Sequence, residues 1–196
     1  MSHEAIVAAL GEPGWSITPD YLCVAEVAAL RDECLSAYAR GAFHRAGVGK
    51  GVAEIRAEIR GDQVFWIEAE NAGTALQALL AKLEDLRQAV NRNLFLGLFD
   101  IELHFAAYPP GAGYRRHLDR FQDDDRRTLT VILYLNENWM PEDGGRLRFW
   151  PAEVGPALEF LPSGGTLVAF LSDRFWHEVT PANRQRLSLT GWFRRR

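Results

Sequence analysis

The spacing of hydrophobic residues changes along the chain and separates a helical first half from a β-rich second half. In the first half, apolar residues recur every three or four positions over residues 21–40 and 74–96. This spacing predicts two amphipathic helices. Gly41 follows the first helix as a stop signal, and Thr74 or Asn71 is in position to cap the second.

A glycine-rich segment lies between the two predicted helices. Gly47, Gly49, Gly51 and Gly61 interrupt it, and it leads into a stretch at residues 62–68 that is typical of a strand. The alternating glycines resemble a phosphate-binding loop, but no strand leads directly into them and no Gly-Lys-Ser/Thr follows. We therefore interpret the segment as a mobile loop.

Seven short stretches after residue 100 are rich in β-branched residues, leucine and aromatic residues, and turn signals separate them. They comprise residues 101–108, 128–135, 146–150, 158–161, 166–171, 176–180 and 186–193. Seven short strands that follow one another this closely along the chain predict an antiparallel sandwich or jelly roll. The predicted fold class is α+β in a single domain, with mainly helical support over residues 1–98 and a jelly-roll core over residues 99–196.

Composition and charge exclude several classes of protein. The 196 residues are 47% hydrophobic and 24% charged, as in a folded globular domain. The net charge of −4 argues against a general nucleic-acid or anionic-membrane binder, and no apolar run is long enough to span a membrane. The first residues show no secretory signal, and Cys23 and Cys34 are unsuited to a disulfide within one helix. We expect a cytoplasmic protein.

A histidine and an aspartate two residues apart are the first candidates for chemistry. In a strand, residues at this spacing point to the same face, so His117 and Asp119 can converge on one metal ion. His177 stands in a second strand-like stretch near the end of the chain and is the candidate third ligand. Two histidines and one carboxylate form the facial triad of non-haem Fe(II) oxygenases, which leaves coordination positions open.

An arginine after the third candidate ligand supports a metal site that also binds a dicarboxylate. Arg186 follows His177 by nine residues, across a turn and at the start of the last predicted strand. Its neighbours Leu187, Leu189 and Trp192 are apolar, so a solvated strand face is a poor alternative. A guanidinium in the same cavity as the metal can bind the far carboxylate of a dicarboxylate that chelates the metal.

Several further stretches resemble the prolyl 4-hydroxylases of the 2-oxoglutarate-dependent dioxygenase superfamily. The resemblance spans residues 55–193 and is closest to the hypoxia-inducible-factor prolyl hydroxylases and their bacterial relatives. The segment at residues 108–119 resembles the family's iron motif. Four further stretches resemble family motifs in the same order, at residues 133–139, 144–147, 172–174 and 186–192. One departure is Pro110, which stands where relatives have glycine. The family's core is a double-stranded β-helix, the jelly roll that the strands also predict.

The resemblance implies a role for each candidate residue at the metal. It gives His117, Asp119 and His177 as Fe(II) ligands and Arg186 as the group that holds 2-oxoglutarate, with O₂ as the other co-substrate and ascorbate as an accessory reductant. The residues that it places around the co-substrate are Tyr134, which donates a hydrogen bond, Tyr108 near the metal, and the wall residues Leu147, Thr190 and Trp192.

The resemblance also implies a region that covers the substrate. Its candidate residues are Arg60, Asp62, Trp66 and Arg127, with Asp62 paired to Arg127. The substrate-covering loop lies near residues 44–68, and its glycine-rich part at residues 44–58 is the expected lid. The implied activity is hydroxylation of a proline in a protein, with elongation factor Tu, the substrate of bacterial relatives, as the first partner to test.

Two other functions stay open at this stage. One is the same chemistry on a free amino acid or other small molecule, and the other is a jelly-roll binding module without catalysis. A nucleic-acid demethylase is disfavoured, because the chain is acidic and no second arginine follows Arg186 six residues on. The three arginines at residues 194–196 are interpreted as a frayed basic tail, with docking of an acidic partner as the alternative.

Overall fold

The computed structural model describes residues 3–47, 59–120 and 126–196. Within these residues the α-helices are α1 (Glu4–Gly11), α2 (Val24–Ala39) and α3 (Thr74–Leu94), and short 3₁₀ turns occur at Ala69–Asn71 and Pro141–Asp143. No helix in these described ranges combines the length and hydropathy that crossing a bilayer requires.

The strands form two antiparallel sheets that face each other. In chain order they are β1 (Trp15–Thr18), β2 (His44–Arg45), β3 (Gln63–Trp66), β4 (Leu98–Tyr108), β5 (Tyr114–His117), β6 (Arg127–Tyr134), β7 (Leu147–Phe149), β8 (Leu158–Phe160), β9 (Leu167–Leu171), β10 (His177–Val179) and β11 (Arg186–Arg195). The major sheet has the order β1-β9-β6-β11-β4-β3-β2, and the minor sheet has the order β5-β10-β7-β8. The predicted α+β jelly-roll class is confirmed.

The first long helix begins later than its hydrophobic spacing predicts. Cys23 has an extended backbone and precedes the first turn, and its N–H donates to the Glu26 carboxylate at 2.8 Å. This capping arrangement fixes the start of α2 at Val24, because it satisfies a backbone donor that the helix leaves free. The prediction from residue 21 was therefore early by three residues.

Residue alternation along the major sheet separates two hydrophobic layers. On β6, Leu129, Val131 and Leu133 pack on the helical side with the apolar stripe of α3. The intervening Ile132 and Tyr134 point the other way, toward the minor sheet. Successive side chains of a strand lie on opposite faces, so the sequence of β6 itself assigns each residue to the helical core or to the space between the sheets.

The last strand applies the same alternation to polar residues. Leu187, Leu189 and Phe193 of β11 join the helical core. Arg186, Ser188, Thr190 and Trp192 lie on the opposite face and line a cavity between the sheets. The pairing of β11 with β4 and β6 therefore places a polar row in the interior of the jelly roll.

The basic residues after the last predicted strand are ordered in the structure, so the prediction of a frayed tail was wrong. Arg194 lies within β11 and donates two hydrogen bonds to Asp100 of β4, at 2.9 and 2.6 Å. The guanidinium of Arg196 lies 4.2 Å from the centre of the Phe99 ring. The continued pairing of β11 with β4 brings these partners together, which spacing alone does not reveal.

Truncating a buried leucine of α3 tests the helix–sheet core. We expect Leu86→Ala to lower the free energy of unfolding by about 2–5 kcal/mol, because the fully buried side chain would leave a cavity. Chemical denaturation monitored by circular dichroism measures the change. Leu80→Ala on the same helix is the control, since Leu80 is only partly buried and should cost less. Equal losses for both variants would contradict the assignment of the buried face.

Candidate active site

Three side chains form a cluster suited to a metal ion at the edge where the minor sheet faces the cavity. The ligand atoms of His117, Asp119 and His177 all lie within 4.8 Å of one another. His117 ends β5 and His177 begins β10, and the two residues are direct partners across this strand pair. Their imidazoles therefore project to one side, with ring centres 4.2 Å apart.

The aspartate reaches the cluster from just beyond the strand. Strand β5 ends at His117, so Asp119 does not lie on the strand as its spacing predicted. Its carboxylate is 7% exposed and still faces both histidines, with Oδ1 3.6 Å from the Nε2 of His117 and Oδ2 3.5 Å from the Nε2 of His177. The predicted convergence of the three residues is thus observed, although the backbone that achieves it turns out of the sheet.

Both imidazoles are oriented by a carbonyl two residues earlier in the chain. The Nδ1 of His117 lies 2.7 Å from the carbonyl oxygen of Arg115, and the Nδ1 of His177 lies 3.1 Å from that of Phe175. A carbonyl oxygen only accepts hydrogen bonds, so Nδ1 is the donor in each ring. This tautomer leaves both Nε2 atoms with free lone pairs for a metal.

The protonation states of the buried ligands also suit a metal. Burial lowers the pKa of His177 to about 4, so its ring is neutral at neutral pH. Burial alone would raise the pKa of Asp119, but attraction to His177 and His117 and a hydrogen bond from Thr130 hold it well below its usual value. A carboxylate and a neutral imidazole are the forms that coordinate a metal. This nitrogen and oxygen donor set fits Fe(II).

Two buried hydroxyl groups support the carboxylate from behind. Thr130 donates from Oγ1 to the Oδ2 of Asp119 at 2.8 Å, and Ser172 Oγ lies 2.9 Å from the same Oγ1. Because the only hydroxyl proton of Thr130 is used on Asp119, Ser172 must donate to Thr130. Sequence reasoning missed both residues. The available signal was alternation on β6, where Thr130 lies on the same face as Tyr134.

A buried arginine lines the same cavity, and a buried tyrosine packs against it. Arg186 is 1% exposed, and its guanidinium carbon lies 5.0 and 5.1 Å from the ring centres of Tyr108 and Tyr134. In the described part of the chain no carboxylate pairs with Arg186. The hydroxyl of Tyr134 is buried without a hydrogen-bond partner. A buried cation beside an unpartnered donor calls for an anionic acceptor, so the site fits the far carboxylate of 2-oxoglutarate.

The backbone fixes the position of this arginine. The Nε of Arg186 donates to the carbonyl oxygen of Gly145 at 3.0 Å. Gly145 has a φ of +62°, and a Cβ at that position would lie 3.0 Å from Ala182 and 3.1 Å from the Arg186 side chain. The left-handed backbone therefore favours glycine, and any side chain here would also force its neighbours to move by a few tenths of an ångström.

Most of the predicted site residues line one cavity of about 250 Å³. Those around it are Arg60, Tyr108, His117, Asp119, Arg127, Leu147, His177, Arg186, Thr190 and Trp192. Tyr134 packs behind Arg186, and Trp66 lies at the outer edge of the sheet, 41% exposed. Residues 48–58, which make up most of the predicted lid, lie outside the described residues, while Gly47 before them and Arg60 after them line the cavity.

The predicted Asp62–Arg127 pair is replaced by two separate pairs. Asp62 is 2% exposed and accepts hydrogen bonds from the Nε and Nη2 of Arg60, at 2.7 and 3.0 Å. Arg127 instead donates to Glu102 at 2.6 Å and lies 3.6 Å above the Trp192 ring. Strand register explains the difference, because Glu102 is the direct partner of Trp192 on the neighbouring strand.

A buried guanidinium and a His-Asp-His cluster inside a jelly roll define the 2OG-Fe(II) oxygenase class, and comparisons agree. The profile of the 2OG-Fe(II) oxygenase superfamily matches residues 103–194. Human Egl nine homolog 1 is 31% identical over 201 residues, which cover 98% of this chain and 46% of that protein. Human prolyl hydroxylase EGLN3 is 33% identical, with 97% of this chain and 82% of that protein covered.

Solved structures give a more specific likeness. A prolyl-4-hydroxylase from Pseudomonas putida is 50% identical, with a TM-score of 0.91 and 98% of each chain covered. A Trichoplax adhaerens prolyl hydroxylase, solved with a peptide of the hypoxia-inducible factor oxygen degradation domain, is 30% identical, with a TM-score of 0.90 and 97% of this chain and 88% of that chain covered. This chain belongs to the prolyl hydroxylases of the 2OG-Fe(II) oxygenase superfamily. It spans 46 to 59% of the length of the mammalian Egl nine homolog 1 proteins.

Removing the hydroxyl of Thr130 tests its support of the metal ligand. We expect Thr130→Val to weaken binding of Mn(II), used as a redox-stable stand-in for Fe(II), by about 10–100-fold, the usual cost of losing a hydrogen bond to a ligand. Isothermal titration calorimetry measures the affinity. Thr130→Ser keeps the hydroxyl and should bind the metal nearly as well as the unmodified protein. A folded Thr130→Val protein with unchanged affinity would remove Thr130 from this role.

Proposed function

We propose that this chain is an Fe(II)- and 2-oxoglutarate-dependent prolyl 4-hydroxylase that acts on a proline of a protein. The observation that carries the proposal is the pairing of two features in one cavity. The cluster of His117, Asp119 and His177 lies at its edge, and the buried Arg186, with no carboxylate partner among the described residues, lies deeper inside. A keto-diacid satisfies both features at once, because one end chelates a metal and the other bears a carboxylate.

Separate sets of residues bind the metal and the co-substrate. His117, Asp119 and His177 hold Fe(II), while Arg186 and the unpartnered hydroxyl of Tyr134 hold the far carboxylate of 2-oxoglutarate. With O₂, the bound metal and co-substrate supply oxidative decarboxylation, in which one oxygen atom enters succinate, the other enters a C–H bond, and CO₂ leaves. The chain positions these groups and excludes water, because the surrounding wall of Tyr108, Leu147 and Trp192 is buried.

The outer part of the cavity supports a protein as the substrate. Arg60, anchored on Asp62, lines the cavity, and the exposed ring of Trp66 stacks beside His104, which also lines it. The Trichoplax adhaerens relative was solved with a peptide of a protein substrate. Elongation factor Tu is our specific proposal for the partner, on the strength of the resemblance to bacterial prolyl hydroxylases. We also propose that the enzyme acts in the cytoplasm. We also propose ascorbate as an accessory reductant.

Mass spectrometry of a reconstituted reaction tests the function. We expect the unmodified chain, supplied with Fe(II), 2-oxoglutarate and O₂, to add one oxygen atom to a proline of elongation factor Tu, which tandem mass spectrometry of the digested product would locate. His117→Ala is the matched control and should give no product, because the metal loses a ligand. Turnover of free proline but not of the protein would favour the small-molecule alternative, and no turnover with either would contradict the proposal.

A separate binding measurement tests the role of Arg186. We expect Arg186→Ala to weaken binding of 2-oxoglutarate to the Mn(II)-loaded protein by about 2–5 kcal/mol, the scale for removing one partner of a buried charge pair. Arg186→Lys keeps the charge but loses the two-pronged geometry. Its affinity for 2-oxoglutarate should therefore lie between that of the unmodified protein and that of Arg186→Ala. Calorimetric titration gives the dissociation constants, and circular dichroism checks the fold. An unchanged dissociation constant in Arg186→Ala would reject the role.

A further inference from the structure

A row of stacked side chains crosses the major sheet beside the metal cluster. This aromatic row consists of Trp66 on β3, His104 on β4, Trp192 on β11 and Arg127 on β6, one residue from each of four adjacent strands. The ring centres of Trp66 and His104 are 4.8 Å apart, and those of His104 and Trp192 are 5.3 Å apart. The guanidinium of Arg127 covers the other face of Trp192 at 3.6 Å.

The aromatic row runs from the surface into the cavity. Trp66 is 41% exposed, whereas His104 and Trp192 are 1% and 4% exposed and line the cavity that also contains His117 and Asp119. A peptide that enters the cavity over Trp66 would therefore meet the imidazole and the indole next. Sequence reasoning did not single out His104, although alternation along β4 places it on the same face as Tyr108.

Two polar atoms of the aromatic row lack partners. Among the described residues, the buried side-chain atoms without a hydrogen bond are the Nδ1 of His104, the Nε1 of Trp192 and the hydroxyl of Tyr134. The 2-oxoglutarate site accounts for Tyr134. The other two atoms belong to stacked rings in the same wall, and buried polar groups are rarely left unsatisfied in a native protein. The pair therefore points to a ligand group that is not part of the chain.

The chemistry of the pair identifies the kind of group that it binds. The Nε1 of an indole only donates, and a neutral imidazole can donate from Nδ1. Burial is the main cause that lowers the pKa of His104 well below its usual value, with the charges of Arg60 and Arg127 adding to it and Asp119 opposing it. The ring is therefore neutral at neutral pH, and it offers one N–H and one lone pair.

The polar groups of a peptidyl proline are all acceptors. Its nitrogen carries no hydrogen, so the backbone carbonyl oxygens on either side of the ring are the groups that need donors. We propose that His104 and Trp192 form a two-donor site that binds a backbone carbonyl at the target proline and so positions the ring beside the metal. This assignment rests on the proposed function and makes His104 a substrate-binding residue for the peptide at the target proline.

Steady-state kinetics with elongation factor Tu tests the assignment. His104→Leu removes the donor and should raise the KM for the protein about tenfold or more, the effect of one lost hydrogen bond to a buried site, with a smaller change in kcat. His104→Asn places an amide N–H near the position of Nδ1 and should recover most of the loss. Trp192→Phe should also raise the KM, and combining it with His104→Leu should cost less than the product of the two effects, because both bind one carbonyl.

A measurement on the unmodified protein does not depend on the variants folding. In the protein loaded with Zn(II) and 2-oxoglutarate, the indole N–H proton of Trp192 should shift downfield in NMR spectra when a proline peptide from elongation factor Tu is added. An indole resonance that does not move on saturation with the peptide would overturn the assignment.

The outcomes separate this assignment from the proposed function. Prolyl hydroxylation by the unmodified protein together with an unchanged KM in a folded His104→Leu protein would overturn the role of His104 alone. A raised KM that His104→Asn does not recover, accompanied by a lower Tm and weaker 2-oxoglutarate binding, would show a structural role and also overturn it. Absence of any prolyl hydroxylation by the unmodified protein would overturn the proposed function and this assignment with it.

Discussion

The buried charge of Arg186 is the constraint on which the interior of this fold depends. A guanidinium that is 1% exposed, with no carboxylate partner in the described part of the chain, is costly unless an anion from outside the chain joins it. The structure reduces the cost with the carbonyl of Gly145 and the faces of Tyr108 and Tyr134. The jelly roll thus holds a positive charge in place for a ligand, and the metal cluster nearby defines which ligand that is.

The residues that orient the three metal ligands lie at different distances from them along the chain. Each histidine is oriented by the carbonyl two residues before it, so the sequence around His117 and His177 carries the ring orientation locally. Asp119 instead depends on Thr130 and Ser172, which come from other parts of the jelly roll. The histidines can therefore be recognised from short motifs, whereas the support of the carboxylate exists only once the sheet has formed.

The same distinction explains how much the sequence could predict. The helix that begins at residue 74 and the strands of the core follow from local spacing, although the helix ends at Leu94, two residues earlier than predicted. The three residues of the His-Asp-His cluster meet as predicted, although Asp119 lies beyond the end of β5. The prediction that Asp62 pairs with Arg127 was wrong. The register of β11 against β4 sets Glu102 opposite Trp192, and Arg127 lies over Trp192 and donates to Glu102. Short elements such as α1 and β1 have no periodic signal long enough to detect, and the unpartnered Nδ1 of His104 is recognised only once the sheet has formed around it.

The glycine at position 145 connects the main chain to the position of the buried positive charge. Its carbonyl accepts a hydrogen bond from Arg186, and a larger residue at this left-handed position would press against the Arg186 side chain. The position of the guanidinium is therefore fixed in part by a main-chain contact and not by the arginine side chain alone. Under the proposed function, the carbonyl of Gly145 thus takes part in deciding where the far carboxylate of the co-substrate lies.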